Sequence, residues 1–313
     1  MTRLTVAALV IVLCTACRAS PEQAVVPAVR AAVAQQDFAG GERVVSAYRA
    51  AHGVTPEMLE ALSWLGRGAL AAGQFTVARN YARQTYDLCI AELKTRPLDE
   101  EPHLPIALGA AIEVLARVMT EEGARTEAVG FLGREVEAHR GSSVEKRIQK
   151  NLHLLSLEGK PAPPIEVEDH LGPAPVGLEQ LKGKIVVLFF WAHWCADCKA
   201  QDPVLERVAA RYRDQGLTVV APTQRFGYVG GGRTAAADEE TRYIEQIRQT
   251  SYPGLAGASV PLSAANHTRY GVSSTPTFVL VDREGIVRLY HPGRISEHDL
   301  EMHISRLLIQ RAP

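Results

Sequence analysis

Cys195 and Cys198 are the two residues of this chain whose types and spacing most directly suggest chemistry. Two residues lie between them, so the second thiol can reach the first and a disulfide between them can close and reopen. Before them runs Lys184-Ile185-Val186-Val187-Leu188-Phe189-Phe190, β-branched and aromatic and of strand length. After them, the stretch from Lys199 to Tyr212 carries Leu205, Val208, Ala209 and Tyr212 at helical spacing. The pair therefore falls on a strand-to-helix turn, with Cys195 at the helix start. Unpaired N–H groups and a partial positive charge at that end favour a thiolate. A thiol so placed drops from about 8.5 into the range of roughly 3.5–7.5. The same spacing serves as half of a zinc site, but no second Cys/His pair with metal spacing accompanies it. No metal and no cofactor are expected.

Several elements must hold this turn. Leu217 to Ala221 is a second β-branched run, and strand, helix, strand at this spacing implies a parallel pair with a right-handed crossover. Phe278 to Val281 and Ile286 to Tyr290 alternate around Asp282-Arg283-Glu284-Gly285, a hairpin pattern. Ser296 to Gln310 reads as an amphipathic closing helix, with Leu300, Ile304, Leu307 and Leu308 on one side. Ile165 to Glu168 reads as a short edge strand. Between Gln224 and Pro253, Gly230-Gly231-Gly232 reads as a flexible loop without a nucleotide role. A charged helix from Asp238 to Gln249 follows it and reads as an inserted surface helix, with a lid or substrate-facing lip as the alternative.

Phe190-Trp191-Ala192-His193-Trp194-Cys195-Ala196-Asp197-Cys198 resembles the active site of the thioredoxin superfamily, most of all its extracytoplasmic TlpA/ResA-like thiol–disulfide oxidoreductases. Tyr270-Gly271-Val272-Ser273-Ser274-Thr275-Pro276-Thr277-Phe278 resembles the family's segment around its cis-proline. The resemblance implies an α/β thioredoxin-like domain with a mixed sheet and flanking helices. It implies Cys195 as the attacking thiolate, Cys198 as the resolving thiol and Trp194 as cover over the turn. It also implies a cis bond at Thr275–Pro276, whose backbone pairs with the substrate chain. Its partners are protein thiol or disulfide substrates and a redox partner protein. Two positions depart from the family. Phe189 stands where thioredoxins often place a buried Asp, and Gln201 where TlpA-like proteins usually place Glu. Asp202 and Asp197 are the available substitutes, and both read as solvated carboxylates. A peroxidase would need Thr and Pro where Ala192 and Leu188 stand. Two other functions remain open on the residues: a non-catalytic scaffold that docks partners, and copper handling through the cysteines with His193, His267 or His291.

The first half is Ala-rich with helix-period apolar residues. Leu65-Gly66, Phe75-Thr76-Val77-Ala78 and Ala82 form a small/large pattern resembling a tetratricopeptide-like helical hairpin. Leu115-Ala116, Arg125-Thr126-Glu127-Ala128 and Leu132 repeat it, and Ala28-Val29 with Phe38-Ala39-Gly40-Gly41 is a weaker copy. Gly73 and Gly123 mark the turns, and Arg96 to Pro105 inserts a Pro-rich acidic loop. Such a stack offers a face for a peptide or protein partner, or serves as a spacer or dimerisation module. Cys89 lies on an apolar helical face and is expected buried and inert. Gly159-Lys160-Pro161-Ala162-Pro163-Pro164 cannot continue a helix and reads as a stiff extended linker.

Arg3 and the apolar run Leu4 to Leu13 read as a secretory signal. Thr15-Ala16-Cys17 resembles the end of a bacterial lipobox, with Cys14 where Leu is usual, and makes Cys17 the expected lipid attachment site. The expected organisation is a signal at 1–19, a tetratricopeptide-like helical domain at 20–158, a linker at 159–164 and a thioredoxin-like domain at 165–313. The expected location is the periplasm or cell envelope, lipid-anchored to a bacterial membrane. The chain has 313 residues and a net charge of −1, which gives no reason to expect nucleic acid as a partner.

Overall fold

The computed structural model describes residues 24–175 and 177–309. The signal segment and Cys17 lie outside the described residues. The first half is helical: α1 Val25–Ala34, α2 Phe38–His52, α3 Pro56–Ala71, α4 Phe75–Glu92, α5 His103–Glu121, α6 Arg125–Ala138 and α7 Glu145–Ser156. The helices pair as α1 with α2, α3 with α4 and α5 with α6, while α1, α3 and α5 pack on one another in succession. Small residues permit this closeness. A Cβ on Gly66 would sit 3.4 Å from the Ala82 nitrogen and 3.6 Å from the Ala78 oxygen, so the α3 and α4 backbones approach closely there. Val29, Leu65, Leu108, Ile112 and Leu132 close one core beneath them, each fully buried. Burying such a side chain contributes about 1.5–3 kcal/mol. Cys89 is buried in the same core, and burial pushes its thiol up to about 12.

The Pro-rich acidic stretch is only partly a loop. α5 starts at His103, inside it, with Pro105 in the first turn, where a missing N–H costs nothing. The Glu101 carboxylate accepts the N–H groups of His103 at 2.8 Å and Leu104 at 2.6 Å.

The second half is built on a four-stranded mixed sheet ordered β3 Leu217–Val220, β2 Ile185–Phe190, β7 Thr277–Val281, β8 Val287–Pro292. β2 and β3 are parallel; β2 with β7 and β7 with β8 are antiparallel. All six residues of β2 are buried because both faces are covered. Ile185, Val187 and Phe189 face Leu205 and Val208 of α8 (Ala196–Tyr212), Ile244 of α9 (Ala237–Ser251) and Leu300 and Ile304 of α11 (Glu297–Ile309). Val186, Leu188 and Phe190 face Tyr270, Val272, Tyr290 and Leu157. Leu157 follows α7, so the end of the helical half closes one face of the sheet.

One expected element differs. The short strand is β1 Asp169–Leu171, paired antiparallel with β6 Val260–Leu262, rather than Ile165 to Glu168. At Glu166 a side-chain amide takes the place of a ladder: Asn266 Oδ1 accepts the Glu166 N–H at 2.8 Å, and Asn266 Nδ2 donates to the Glu166 carbonyl at 2.7 Å. The Pro-rich segment is extended but not loose. The Gly159 N–H donates to the Val287 carbonyl, the Val287 N–H to Lys160 and the Ala162 N–H to Gly285, each at 2.9 Å.

α7 joins the halves. It packs on α5 and α6 and also on α10 (Ala264–Arg269). His153 of α7 lies with Nε2 2.9 Å from the Arg269 carbonyl. Gly271, at φ +62°, lets the chain pass directly against the α7 backbone.

Candidate active site

The turn after β2 is tied from three sides. Trp191 is fully buried, and its Nε1 donates to the Ala221 carbonyl at 3.0 Å. Thr223 Oγ1 donates to the Trp191 carbonyl at 2.8 Å. The Tyr252 hydroxyl donates to the carbonyls of Ala192 at 3.0 Å and Cys195 at 3.4 Å. Cys195 then caps α8, and its Sγ accepts the Cys198 N–H at 3.0 Å. Both cysteines are buried, and they are bonded to each other.

The second segment reaches the same place from the neighbouring strand, because Thr277 at the start of β7 pairs with Phe190 at the end of β2. Thr275–Pro276 is a cis bond. The Thr275 carbonyl oxygen lies 3.5 Å from Cys195 Sγ. Cys195, Cys198, Thr275 and Pro276 are therefore gathered at one point. Trp194 stands beside them, edge-on to Phe226 at 5.5 Å, with 49% of its surface in solvent. In reduced form, Cys195 Sγ has a helix N-terminus and a backbone N–H directed at it, which favours the thiolate.

Gln201 and Asp202 have separate roles. Gln201 is buried, and both its amide atoms meet the backbone of Ile295 at 3.0 Å, which fixes the approach to α11. Asp202 is fully buried, which corrects the expectation of a solvated carboxylate; Asp197 is exposed. Asp202 Oδ2 accepts the Gly254 N–H at 2.9 Å, and Oδ1 has no hydrogen-bond partner. Residues four apart on a helix share a face, so Asp202 lies one turn below Cys198. Burial pushes the Asp202 carboxyl up to about 6. The raised folded value lies above the unfolded one, near 3.9, so the neutral form stabilises the fold below about pH 4. That stability is lost as pH rises through about 6. Relative to Asp202→Asn, the native protein is expected to lose about 2–3 kcal/mol of stability between pH 4 and 7.5. Denaturant midpoints of both proteins across that range check it; a constant difference would sink the assignment.

One buried pair carried no signal in the sequence. Glu240, on the helix expected at the surface, is 1% exposed. It accepts the N–H groups of Phe226 at 2.5 Å and Gly227 at 2.8 Å. His193 Nε2 lies 3.4 Å from the same carboxylate. Burial lowers the His193 ring against the opposing pull of Glu240. Phe226, Tyr228 and Tyr243 surround the imidazole edge-on at 5.3–5.6 Å. The segment 226–240 thus braces the residue two positions before Cys195. A histidine between two tryptophans was visible in the sequence; its partner 47 positions away was not.

The histidines considered for copper do not converge. His193 faces Glu240, and His291 Nε2 lies 2.9 Å from the Arg294 carbonyl. His267 is buried against Phe190, and burial lowers its ring to about 3. Among the described residues no three metal-ligating side chains gather.

Residues 157–304 match the model of the Redoxin family. The chain is 26% identical over 147 residues to the thioredoxin-like protein YneN of Bacillus subtilis, covering 47% of this chain and 78% of the relative. It is 28% identical over 161 residues to the thiol:disulfide interchange protein DsbE of Xylella fastidiosa, covering 50% and 74%. It is 27% identical over 153 residues to the thiol-disulfide oxidoreductase ResA of Bacillus anthracis, covering 48% and 78%. All three matches cover about half of this chain. The matched stretch, residues 157–304, contains both the bonded cysteine pair and the cis Thr275–Pro276 segment, and it is a TlpA/ResA-like redoxin domain of the thioredoxin superfamily.

Proposed function

We propose that this chain is an extracytoplasmic thiol–disulfide oxidoreductase that exchanges disulfides with protein clients through Cys195 and Cys198. The observation that carries the reading is Cys195 Sγ: it caps a helix, accepts the Cys198 N–H, is bonded to Cys198 and faces the Thr275 carbonyl. In the reducing direction, the Cys195 thiolate attacks one sulfur of a client disulfide. A mixed disulfide forms and the client's other sulfur leaves as a thiolate. The Cys198 thiolate then attacks Cys195 Sγ, the Cys195–Cys198 bond closes and the client's first sulfur is released. Two electrons pass to the client, whose sulfurs end as thiols with the two protons given up by the enzyme pair. The reverse sequence oxidises a client dithiol. Asp202, below Cys198, is the group placed to take the proton that Cys198 must lose.

The relatives' names support the exchange chemistry; the signal and lipobox pattern support an envelope location with Cys17 carrying lipid. The stacked hairpins support a tetratricopeptide-like domain over 20–158, a joint at 159–164 and a redox domain over 165–313. That first domain is the partner-binding element.

Equilibration in graded glutathione buffers, followed by alkylation and mass spectrometry, tests the reading. Cys195 and Cys198 are expected to gain and lose alkylation together, while Cys89 stays blocked by burial. A pair that stays dithiol at every glutathione ratio would overturn it.

A further inference from the structure

A cleft of about 850 Å³ opens where the helical half meets the redox half. α3 brings Arg67 to it, α5 Glu113, and α7 Arg147 and Lys150. Ser273 and Ser274, both exposed, complete the wall on the redox side. Ser274 precedes Thr275, whose carbonyl lies 3.5 Å from Cys195 Sγ. A second hollow of about 460 Å³ shares Arg67 and Glu113 and runs on toward the α3–α4 turn at Gly73. The redox-side end of the cleft is thus one residue along the chain from the carbonyl that faces Cys195.

The charges in the cleft are zoned. On the floor, Glu113 Oε2 serves two cations, Arg147 Nε at 2.9 Å and Lys150 Nζ at 3.7 Å. Arg67 lies over the Trp64 ring at 4.0 Å and forms no ion pair among the described residues. Burial and the charge of Arg147 lower its guanidinium from the ordinary value, as positive charges crowded together should. Acidic residues also line the rim, but two of them are committed. Asp99 accepts the Ser143 N–H at 3.1 Å and its hydroxyl at 2.5 Å, and Glu101 caps the start of α5. Glu100 is exposed. Around Glu113, the three cations Arg67, Arg147 and Lys150 leave a local excess of positive charge, while Asp99, Glu100 and Glu101 keep the rim acidic.

We propose that this cleft seats an extended client segment that carries an Asp or Glu side chain a few residues from the cysteine to be exchanged. The carboxylate sits against Arg67, Arg147 and Lys150, and the chain passes Ser273 and Ser274 to present its disulfide at Cys195. This rests on the exchange function proposed above and adds the class of client.

Fluorescent peptides of equal length, each with one mixed disulfide flanked by Glu, Gln or Lys, provide the test. Binding to the oxidised native protein is read by anisotropy. The Glu peptide is expected to bind about tenfold tighter than the Lys peptide, as for one partly desolvated charge pair. The preference is expected to shrink at high salt. Arg67→Gln should cut it to about threefold or less, and Lys150→Gln provides a second variant should Arg67→Gln fold poorly. Turnover of hydroxyethyl disulfide, which is neutral and too small to span the cleft, should be unchanged in both. Equal binding of the three peptides would overturn the proposal. Loss of hydroxyethyl disulfide turnover in the native protein would instead refute the exchange chemistry, while anisotropy still decides the cleft.

Discussion

Cys195→Ser is expected to abolish disulfide exchange, by about three orders of magnitude or more. Cys195 is the sulfur at the mouth of α8, and it alone has both the Cys198 N–H and the Thr275 carbonyl within reach. A serine hydroxyl there stays protonated and is a poor nucleophile toward an S–S bond. Cys198→Ser should behave differently. Attack survives, release does not, and the mixed disulfide with the client accumulates on Cys195. Insulin reduction followed by turbidity measures the first variant; non-reducing mass spectrometry measures the second. Native rates in Cys195→Ser would assign the chemistry to other atoms. Absence of any covalent client on Cys198→Ser would remove the resolving role of Cys198.

Gly271→Ala is expected to be the most damaging single-methyl change outside the redox pair. At φ +62° an alanine is strained by about 1–2 kcal/mol. The larger problem is space. The added Cβ would lie 2.4 Å from the Lys150 nitrogen and 2.7 Å from the Gln149 carbonyl carbon, both helix backbone. Backbone of a packed helix cannot yield as a flexible side chain does, so overpacking adds about 1–3 kcal/mol. The sum, about 2–5 kcal/mol, should lower the melting temperature by roughly 5–10 °C. Function should follow, because α7 packs directly on the segment that leads to Thr275. The Tyr290 hydroxyl donates to the Tyr270 carbonyl at 2.9 Å, and the Val272 N–H to the His267 carbonyl at 2.7 Å, so a shift at Gly271 propagates toward Thr275. Thermal scans of native protein and variant decide it. Melting within 1 °C of native would show that α7 does not seat on this segment.

The elements around the redox pair were legible because their signals are local. β2 is an unbroken apolar run, and such runs are buried on both faces. The cysteines follow it at a helix start, the Asp282–Gly285 turn carries hairpin residues, and small residues at Gly66, Ala78 and Ala82 record a close helix pair. An α/β half and a helical half before it follow from those patterns, and the resemblance of the Cys195–Cys198 and Thr275–Pro276 segments implies that the former is thioredoxin-like. The short strand was misplaced by four residues because Asn266, 100 positions from Glu166, supplies the hydrogen bonds a partner strand would.

What the chain's order of residues determined alone was where a thiolate pair would form and which runs would be buried around it. Tertiary structure decided which polar groups share that interior. Asp202 reads as a surface carboxylate until Gly254 closes over it. Glu240 sits in a charged helix and becomes the partner of His193 only when that helix folds against the turn. The docking of α7 on Gly271, and the cleft it creates, likewise depend on residues more than 100 positions apart. The physical reason is the same throughout. Periodicity reports which face of an element is apolar, but burial of a single charged or small residue depends on which distant backbone arrives beside it.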